Sequence, residues 1–268
     1  MVKSAVLFIT FHCNFQCPYC WERQAQKHGE MTAVPFIHWE KWLEALNRLD
    51  IETLDISGGE PLLQPGICEL IGRLNSRRVA ITSNLSFNMT EFIKKIPAHK
   101  ICSMTASYHP TSELSLELFT GKVLLLREHG IPITVNFVGY PEQMYLIPQI
   151  KAHFENLGVR FHVDPYAPTK FNPYHFSAEE QEFLSKYVGS DRKPFDGKRE
   201  GVKKCSGGVN HLNIQPNGDA YRCIKDKVEG AVPIGNVFSP DFKLNESSTD
   251  CKSWWDCPGC DRDKVTVQ

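Results

Sequence analysis

The chain has 268 residues, 41% of them hydrophobic and 23% charged, with 18 glycines and 17 prolines. This is globular composition, which excludes collagen-like, low-complexity and disordered chains, and the length suits one large α/β domain with a small appendage. With 30 basic against 31 acidic residues the net charge is −1, so the chain is not built to bind nucleic acid non-specifically.

Taken in chain order, β-rich runs at 5–10, 53–57, 78–83, 101–107, 132–138 and 159–165 alternate with helical stretches near 35–49, 66–76, 89–96, 112–129 and 142–157. Strand–helix alternation predicts a parallel sheet wound by right-handed crossovers. Six such units are too few for a closed eight-unit barrel, so residues 1–166 are expected to form a partial (β/α)6 TIM-like barrel of the α/β class. Within the later strands, Ser103, Thr105 and Ser107 alternate with Cys102, Met104 and Ala106. Thr134 and Asn136 alternate with Ile133, Val135 and Phe137, and His162 and Asp164 with Phe161 and Val163. Successive strand side chains point to opposite faces, which predicts helices over the apolar face and a polar lumen able to hold a large polar ligand.

Residues 167–204 read as a linker with one helix, near 177–188, and residues 205–268 as a small C-terminal β-hairpin/helix domain. There, runs at 211–215 and 220–224 flank the turn Pro216-Asn217-Gly218-Asp219. No apolar run reaches the ~18–20 residues that span a bilayer, and the N-terminus lacks a signal-peptide pattern. A cytoplasmic protein with neither membrane nor nucleic-acid partner is expected. Ten cysteines then need an explanation, and in a reducing compartment metal or redox chemistry explains them better than disulfides.

Three of them form Cys13-Asn14-Phe15-Gln16-Cys17-Pro18-Tyr19-Cys20, a C-x3-C-x2-C loop directly after the first strand. A structural zinc site takes four protein ligands and a [4Fe–4S] cluster normally four thiolates; three thiolates leave one iron open to an outside ligand. At the carboxyl end of the second strand, where β/α barrels collect functional residues, stands Ser57-Gly58-Gly59-Glu60-Pro61. Its glycines permit close backbone approach, and Glu60 offers an acceptor for an ammonium group.

Together these motifs resemble those of the radical S-adenosylmethionine (SAM) enzymes. The resemblance implies that Cys13, Cys17 and Cys20 hold a [4Fe–4S] cluster whose open iron is chelated by SAM. It also implies that Tyr19 contacts adenine and that Gly58, Gly59 and Glu60 hold the methionine ammonium. Asn84, Thr105, Ser107 and Asn136, ending the third to fifth strands, stand where members contact ribose or carboxylate, although this fourth strand reads Thr105-Ala106-Ser107 in place of the usual Ser-x-Asp. Members cleave SAM reductively to a 5′-deoxyadenosyl radical that abstracts hydrogen from substrate, drawing electrons from a flavodoxin- or ferredoxin-type reductant.

The second group is Cys205-x12-Gly218-x4-Cys223 followed by Cys257-x2-Cys260. It resembles the twitch domain, a shortened SPASM domain, in which four cysteines ligate a second, auxiliary [4Fe–4S] cluster, an arrangement similar to that of the 2-deoxy-scyllo-inosamine dehydrogenases. A structural zinc site is the alternative reading. Cys251 is open to three: a replacement for Cys257, a hydrogen donor to a substrate radical, or no role. Cys68 and Cys102 read as buried small hydrophobes, and Trp254 and Trp255 as a seal over the cluster. Tyr108, His109 and His162 are the candidate catalytic side chains of the lumen, the histidines as proton acceptors. The favoured function is dehydrogenation of a sugar- or cyclitol-like small molecule with the auxiliary cluster as electron acceptor. The alternatives are an epimerase or cross-linking maturase of a short ribosomal peptide, and, from another class, a zinc-stabilised binding protein without catalysis.

Overall fold

The computed structural model describes residues 2–29, 34–168, 170–188 and 203–251; Trp254, Trp255, Cys257 and Cys260 lie outside the described residues. Six parallel strands, β1 (Val2–Thr10), β2 (Ile51–Gly58), β3 (Arg78–Ser83), β4 (Ile101–Tyr108), β5 (Ile133–Gly139) and β6 (Arg160–Pro165), stand side by side in chain order. The expected partial barrel is therefore present. The first crossover carries two helices, α1 (Trp21–Lys27) and α2 (Trp39–Leu49), of which only the second is visible in the sequence pattern. α1 is short and buries only Glu22 and Ala25, too little apolar periodicity to announce a helix.

The later crossovers run through α3 (Ile67–Arg73), α4 (Met89–Lys95), α5 (Leu116–Glu128) and α6 (Ile147–Asn156). Two of them start on side-chain caps: in α4 the Asn88 side chain accepts from the Thr90 and Glu91 amides, and in α5 Ser115 accepts from that of Leu118. Trp42, Phe92, Phe119 and Phe154 descend from α2, α4, α5 and α6, fully buried, onto the sheet face formed by Leu54, Ile56, Val79, Ile81, Met104, Ala106, Val135 and Phe137. That outer face is apolar, as the alternation predicts, and the inner face carries the polar set in register. Thr82 pairs with Thr105 and Thr105 with Thr134, and one step nearer the strand ends Ser107 pairs with Asn136 and Asn136 with His162.

Helix α7 (Ala178–Ser185) follows β6 and starts on a capping box between Ser177 and Glu180. The C-terminal part adds β7 (Lys203–Cys205), β8 (His211–Ile214), β9 (Asp219–Tyr221), α8 (Ile224–Val228), β10 (Gly235–Asn236) and β11 (Thr249–Cys251). The expected hairpin exists as β8–β9, except that Ile224 starts a helix rather than ending a strand. Its placement is not evident from the sequence: β8 pairs in parallel with β1, so the hairpin continues the barrel sheet in the order β10-β9-β8-β1-β2. A buried hydrogen bond of 2.8 Å between Ser4 Oγ and His211 Nδ1 joins the two strands. The following segment packs onto α2, where Phe238 lies 4.6 Å from the Trp42 ring and Arg48 donates to the Ser239 carbonyl at 2.9 Å. β11 pairs with β7 in a separate two-stranded sheet.

Candidate active site

Strand β1 runs out into the cysteine loop, and the end of β2 holds that loop in place. Gly59 N–H donates to Thr10 O and Glu60 N–H to His12 O, both at 2.8 Å. Only glycine allows so close an approach. A Cβ on Gly58, whose φ is +129°, would lie 2.1 Å from Thr10 O, and one on Gly59 would lie 2.2 Å from His12 O. The glycine pair thus shapes the entry to the loop as well as bordering the cavity.

Glu60 departs from its expected role. Its side chain is fully buried, and its carboxylate accepts from Leu62 N at 3.0 Å, Ser83 Oγ at 2.8 Å and Asn84 N at 2.6 Å. Turned into the protein, it ties the end of β2 to the end of β3 instead of facing a ligand ammonium. Asn84 passes the tie on: its amide donates to Asn14 Oδ1 at 3.1 Å and reaches Cys13 Sγ at 3.8 Å.

Of the three cysteines, Cys13 is exposed, Cys17 buried and Cys20 half-buried at the cap of α1. Phe15 N–H donates to Cys13 Sγ at 3.4 Å. Burial pushes all three thiols up, Cys20 to about 11, with the neighbouring Glu22 charge adding to it. A thiolate at these positions calls for a bound cation, which deprotonates a coordinating thiol outright. Glu22, missed from the sequence, is itself buried, its carboxyl raised to about 8 by desolvation against the opposing charge of Lys227. Its signal is positional: it lies three residues before the buried Ala25 on the inward side of α1.

A cavity of about 660 Å³ opens below the loop. Cys13, Cys17, Cys20, Tyr19, Gly58, Gly59, Asn84, Ser107, His109 and Asp164 all border it. Around Cys17, Tyr19, Tyr140 and Tyr166 form an apolar cluster of their own, backed by Phe15, Tyr174 and Phe176 and separate from the main core. The Tyr19 and Tyr140 rings are 5.2 Å apart and those of Tyr140 and Tyr166 5.1 Å. Tyr140 escaped the sequence reading; standing just beyond the carboxyl end of β5 was its only signal. The Tyr19 hydroxyl shares a 2.8 Å hydrogen bond with His109 Nδ1, and burial holds His109 down at about 4, so its imidazole is neutral at pH 7.

Tyr108 does not join this group. The alternation that sends Ser107 into the lumen turns Tyr108 outward with Met104 and Ala106, into the core beside α5, its ring 5.1 Å from that of Phe119. Its assignment as a lumen side chain is corrected accordingly. His162 does face inward, beside Asn136, with its Nε2 3.3 Å from Asp164 Oδ1, although only Asp164 reaches the cavity wall. Thr105 lies one row deeper. Asn136, beside Ser107, is buried and its Oδ1 has no protein partner.

In the C-terminal part, Cys205 ends β7 and Cys223 caps α8. Gly207 N–H donates to Cys205 Sγ and Asp226 N–H to Cys223 Sγ, each at 3.4 Å, the same backbone-to-sulfur contact made at Cys13. Among the described residues no three His, Cys, Asp or Glu side chains close around a single metal ion. None of the described helices is long and apolar enough to cross a membrane.

The sequence matches the Radical SAM superfamily over residues 7–145, just over half of the chain. The chain belongs to that superfamily. Among curated proteins, this radical SAM chain is 29% identical over 173 residues to the PqqA peptide cyclase of Gluconobacter oxydans, covering 58% of the chain and 46% of the relative. It is 23% identical over 186 residues to a probable GTP 3′,8-cyclase of Methanocaldococcus jannaschii, covering 63% and 60%. The chain thus spans about half the length of these curated relatives. Among solved structures, Streptococcus suis SuiB bound to S-adenosylmethionine superposes with a TM-score of 0.60 at 16% identity, over 90% of this chain and 64% of SuiB. SuiB has also been solved bound to the precursor peptide SuiA. Membership of the superfamily implies a [4Fe–4S] cluster and SAM, and the residues present fit them: three thiols border one cavity, with the Gly58-Gly59 backbone and Ser107 beside them.

Proposed function

We propose that this protein is a radical SAM enzyme that modifies a peptide. The observation that carries this reading is the shape of the space beneath the cysteine loop. The 660 Å³ cavity shares Pro165, Tyr166 and Pro168 with a second cleft of about 930 Å³ between the end of β6 and α7, lined by Tyr174, Phe176 and Leu184. Each part alone suits a small ligand. Joined, they suit a longer one, with the reacting residue in the polar lumen and neighbouring apolar residues against the aromatic cleft. The names of the PqqA peptide cyclase and of the SuiA-bound SuiB add support.

When bound, the cluster and SAM supply a carbon-centred radical able to take hydrogen from an unactivated C–H bond, which side-chain acids and bases cannot do. The chain's own residues do the rest. Cys13, Cys17 and Cys20 hold the cluster; the Gly58-Gly59 backbone, Ser107 and Asn136 orient SAM; Tyr19, Tyr140 and Tyr166 keep water away. His109, neutral and hydrogen-bonded to Tyr19, keeps Tyr19 in place. Cys205, Cys223, Cys257 and Cys260 are the residues that would hold an auxiliary cluster, which when bound would supply an acceptor for an electron from the oxidised substrate.

A second reading, dehydrogenation of a hydroxylated small molecule, is favoured by the polar row Ser107, Asn136, His162 with Asp164 beside it. One experiment separates the two. Anaerobically reconstituted protein, dithionite and SAM are incubated with short peptides encoded beside the gene or with a sugar and cyclitol panel, all prepared in D2O-grown cells. Deuterium in 5′-deoxyadenosine from a peptide supports the first reading; deuterium from a sugar or cyclitol alone replaces it with the second. No 5′-deoxyadenosine at all sinks both.

A further inference from the structure

Glu22 stands in the first turn of α1, and the chemistry above gives it no task. Its residue is only 6% exposed. Among the described residues none donates a hydrogen bond to its carboxyl, and no basic side chain closes on it as an ion pair. Nor is the carboxyl sealed into the core, because Glu22 borders the 660 Å³ cavity.

The neighbouring cations are engaged elsewhere. Arg23 Nη2 donates to Gln16 Oε1 at 2.7 Å, at the surface. Lys227 of α8 acts on Glu22 through its charge without pairing with it, and its ammonium stands 5.6 Å from the centre of the Trp21 ring. Gln26, one turn after Glu22 on the same side of α1, donates from Nε2 to Phe11 O at 3.2 Å. That bond turns the Glu22 side of the helix toward the chain just beyond β1.

The surroundings narrow the ligand. Phe8, Phe11, Trp21 and Val228 wall the same cavity, and the last two, 38% and 64% exposed, mark a mouth between α1 and α8. A carboxylate taken out of water is stable only when a cation or hydrogen-bond donors meet it. An aliphatic stem with a positive tip suits both features: its methylenes lie along the apolar wall while its charge meets the carboxylate.

We infer that Glu22 binds a basic side chain, lysine or arginine, of the peptide substrate. The inference rests on the peptide reading above and adds a charge requirement to it.

The test uses the full chain, anaerobically reconstituted and saturated with SAM. Two probes are titrated by calorimetry: N-acetyl-lysine N-methylamide, and N-acetyl-norleucine N-methylamide, which lacks only the ammonium. The lysine probe should bind about tenfold more tightly. Glu22→Gln should abolish that preference, and Glu22→Asp should keep part of it. Equal binding of the two probes to the unaltered chain overturns the inference, as does a preference that survives Glu22→Gln. Weaker SAM binding by Glu22→Gln, with the preference unchanged, assigns the carboxylate to the SAM ammonium and also overturns it.

A second measurement needs no variant. Carbodiimide-driven amidation of Glu22 in the unaltered chain, read by mass spectrometry, should be slowed by the lysine probe and not by the norleucine probe. Equal protection by both counts against the inference. A lysine preference lost in Glu22→Gln, with no peptide yielding labelled 5′-deoxyadenosine, keeps the cation subsite and overturns only the peptide reading.

Discussion

Cys13, Cys17 and Cys20 leave one strand end in a single loop, whereas Cys205 and Cys223 stand on separate elements, at the end of β7 and at the cap of α8. Both groups use glycines to bring backbone close, Gly58-Gly59 against residues 10 to 12 and Gly207 against Arg222, and both set backbone N–H groups on sulfur. The difference lies in what positions them. The first is shaped by hydrogen bonds from the adjacent β2 and by the Glu60–Asn84 tie, and its Cys17 packs in a cluster with Tyr19, Tyr140 and Tyr166. The second is placed by an accretion of short elements on the far side of β1. A group carried by one loop survives small losses elsewhere; one carried by separate elements depends on each contact that joins them.

That contrast can be broken or sharpened in four ways, the largest effect first. Cys17→Ala should reduce 5′-deoxyadenosine formation to background and lower bound iron by about four atoms per chain, while the C-terminal iron remains. Loss of all iron from this variant would show that the two groups do not assemble independently. Gly59→Ala should cost about 3 kcal/mol, the upper end for overpacking, because its Cβ meets the His12 carbonyl rather than a side chain that can turn away. Urea unfolding would measure the loss, and iron content should fall in the first group only.

His109 supplies a pH test. Its folded value of about 4 lies below the ordinary histidine value near 6.5, so between these pH values the unfolded chain binds the extra proton and stability falls on acidification. From pH 7 to pH 5 this group should remove about 2 kcal/mol. His109→Gln, which can keep a hydrogen bond to Tyr19, should flatten the slope by one proton in denaturant titrations; an unchanged slope would show that His109 does not carry it. Smallest is Arg222→Lys, which loses the planar fork shared by Asp226, Thr249 and Asp250. It should cost about 1 kcal/mol and loosen only the C-terminal iron, visible as faster chelation with SAM cleavage unchanged.

Several features were legible without coordinates because they are local. The C-x3-C-x2-C loop, the Gly-Gly pair and the inward placement of Ser107, Asn136, His162 and Asp164 follow from spacing and strand period, which depend on neighbouring residues alone. Tyr108 shows the same rule ignored: alternation with Met104 and Ala106 already placed it in the core. Glu60 could not be read this way, because whether a carboxylate faces a ligand or its own protein depends on donors from another strand, here Ser83 and Asn84.

By itself, then, the sequence determined the parallel six-stranded barrel, the polar lumen and the first cysteine loop, since period and motif are short-range. The tertiary structure alone decided that β8 extends the barrel sheet at β1 and that Tyr140 packs between Tyr19 and Tyr166. Each of these is a pairing between residues far apart in the chain, and the register of such a pairing follows from the packing of both partners, which neither segment encodes alone.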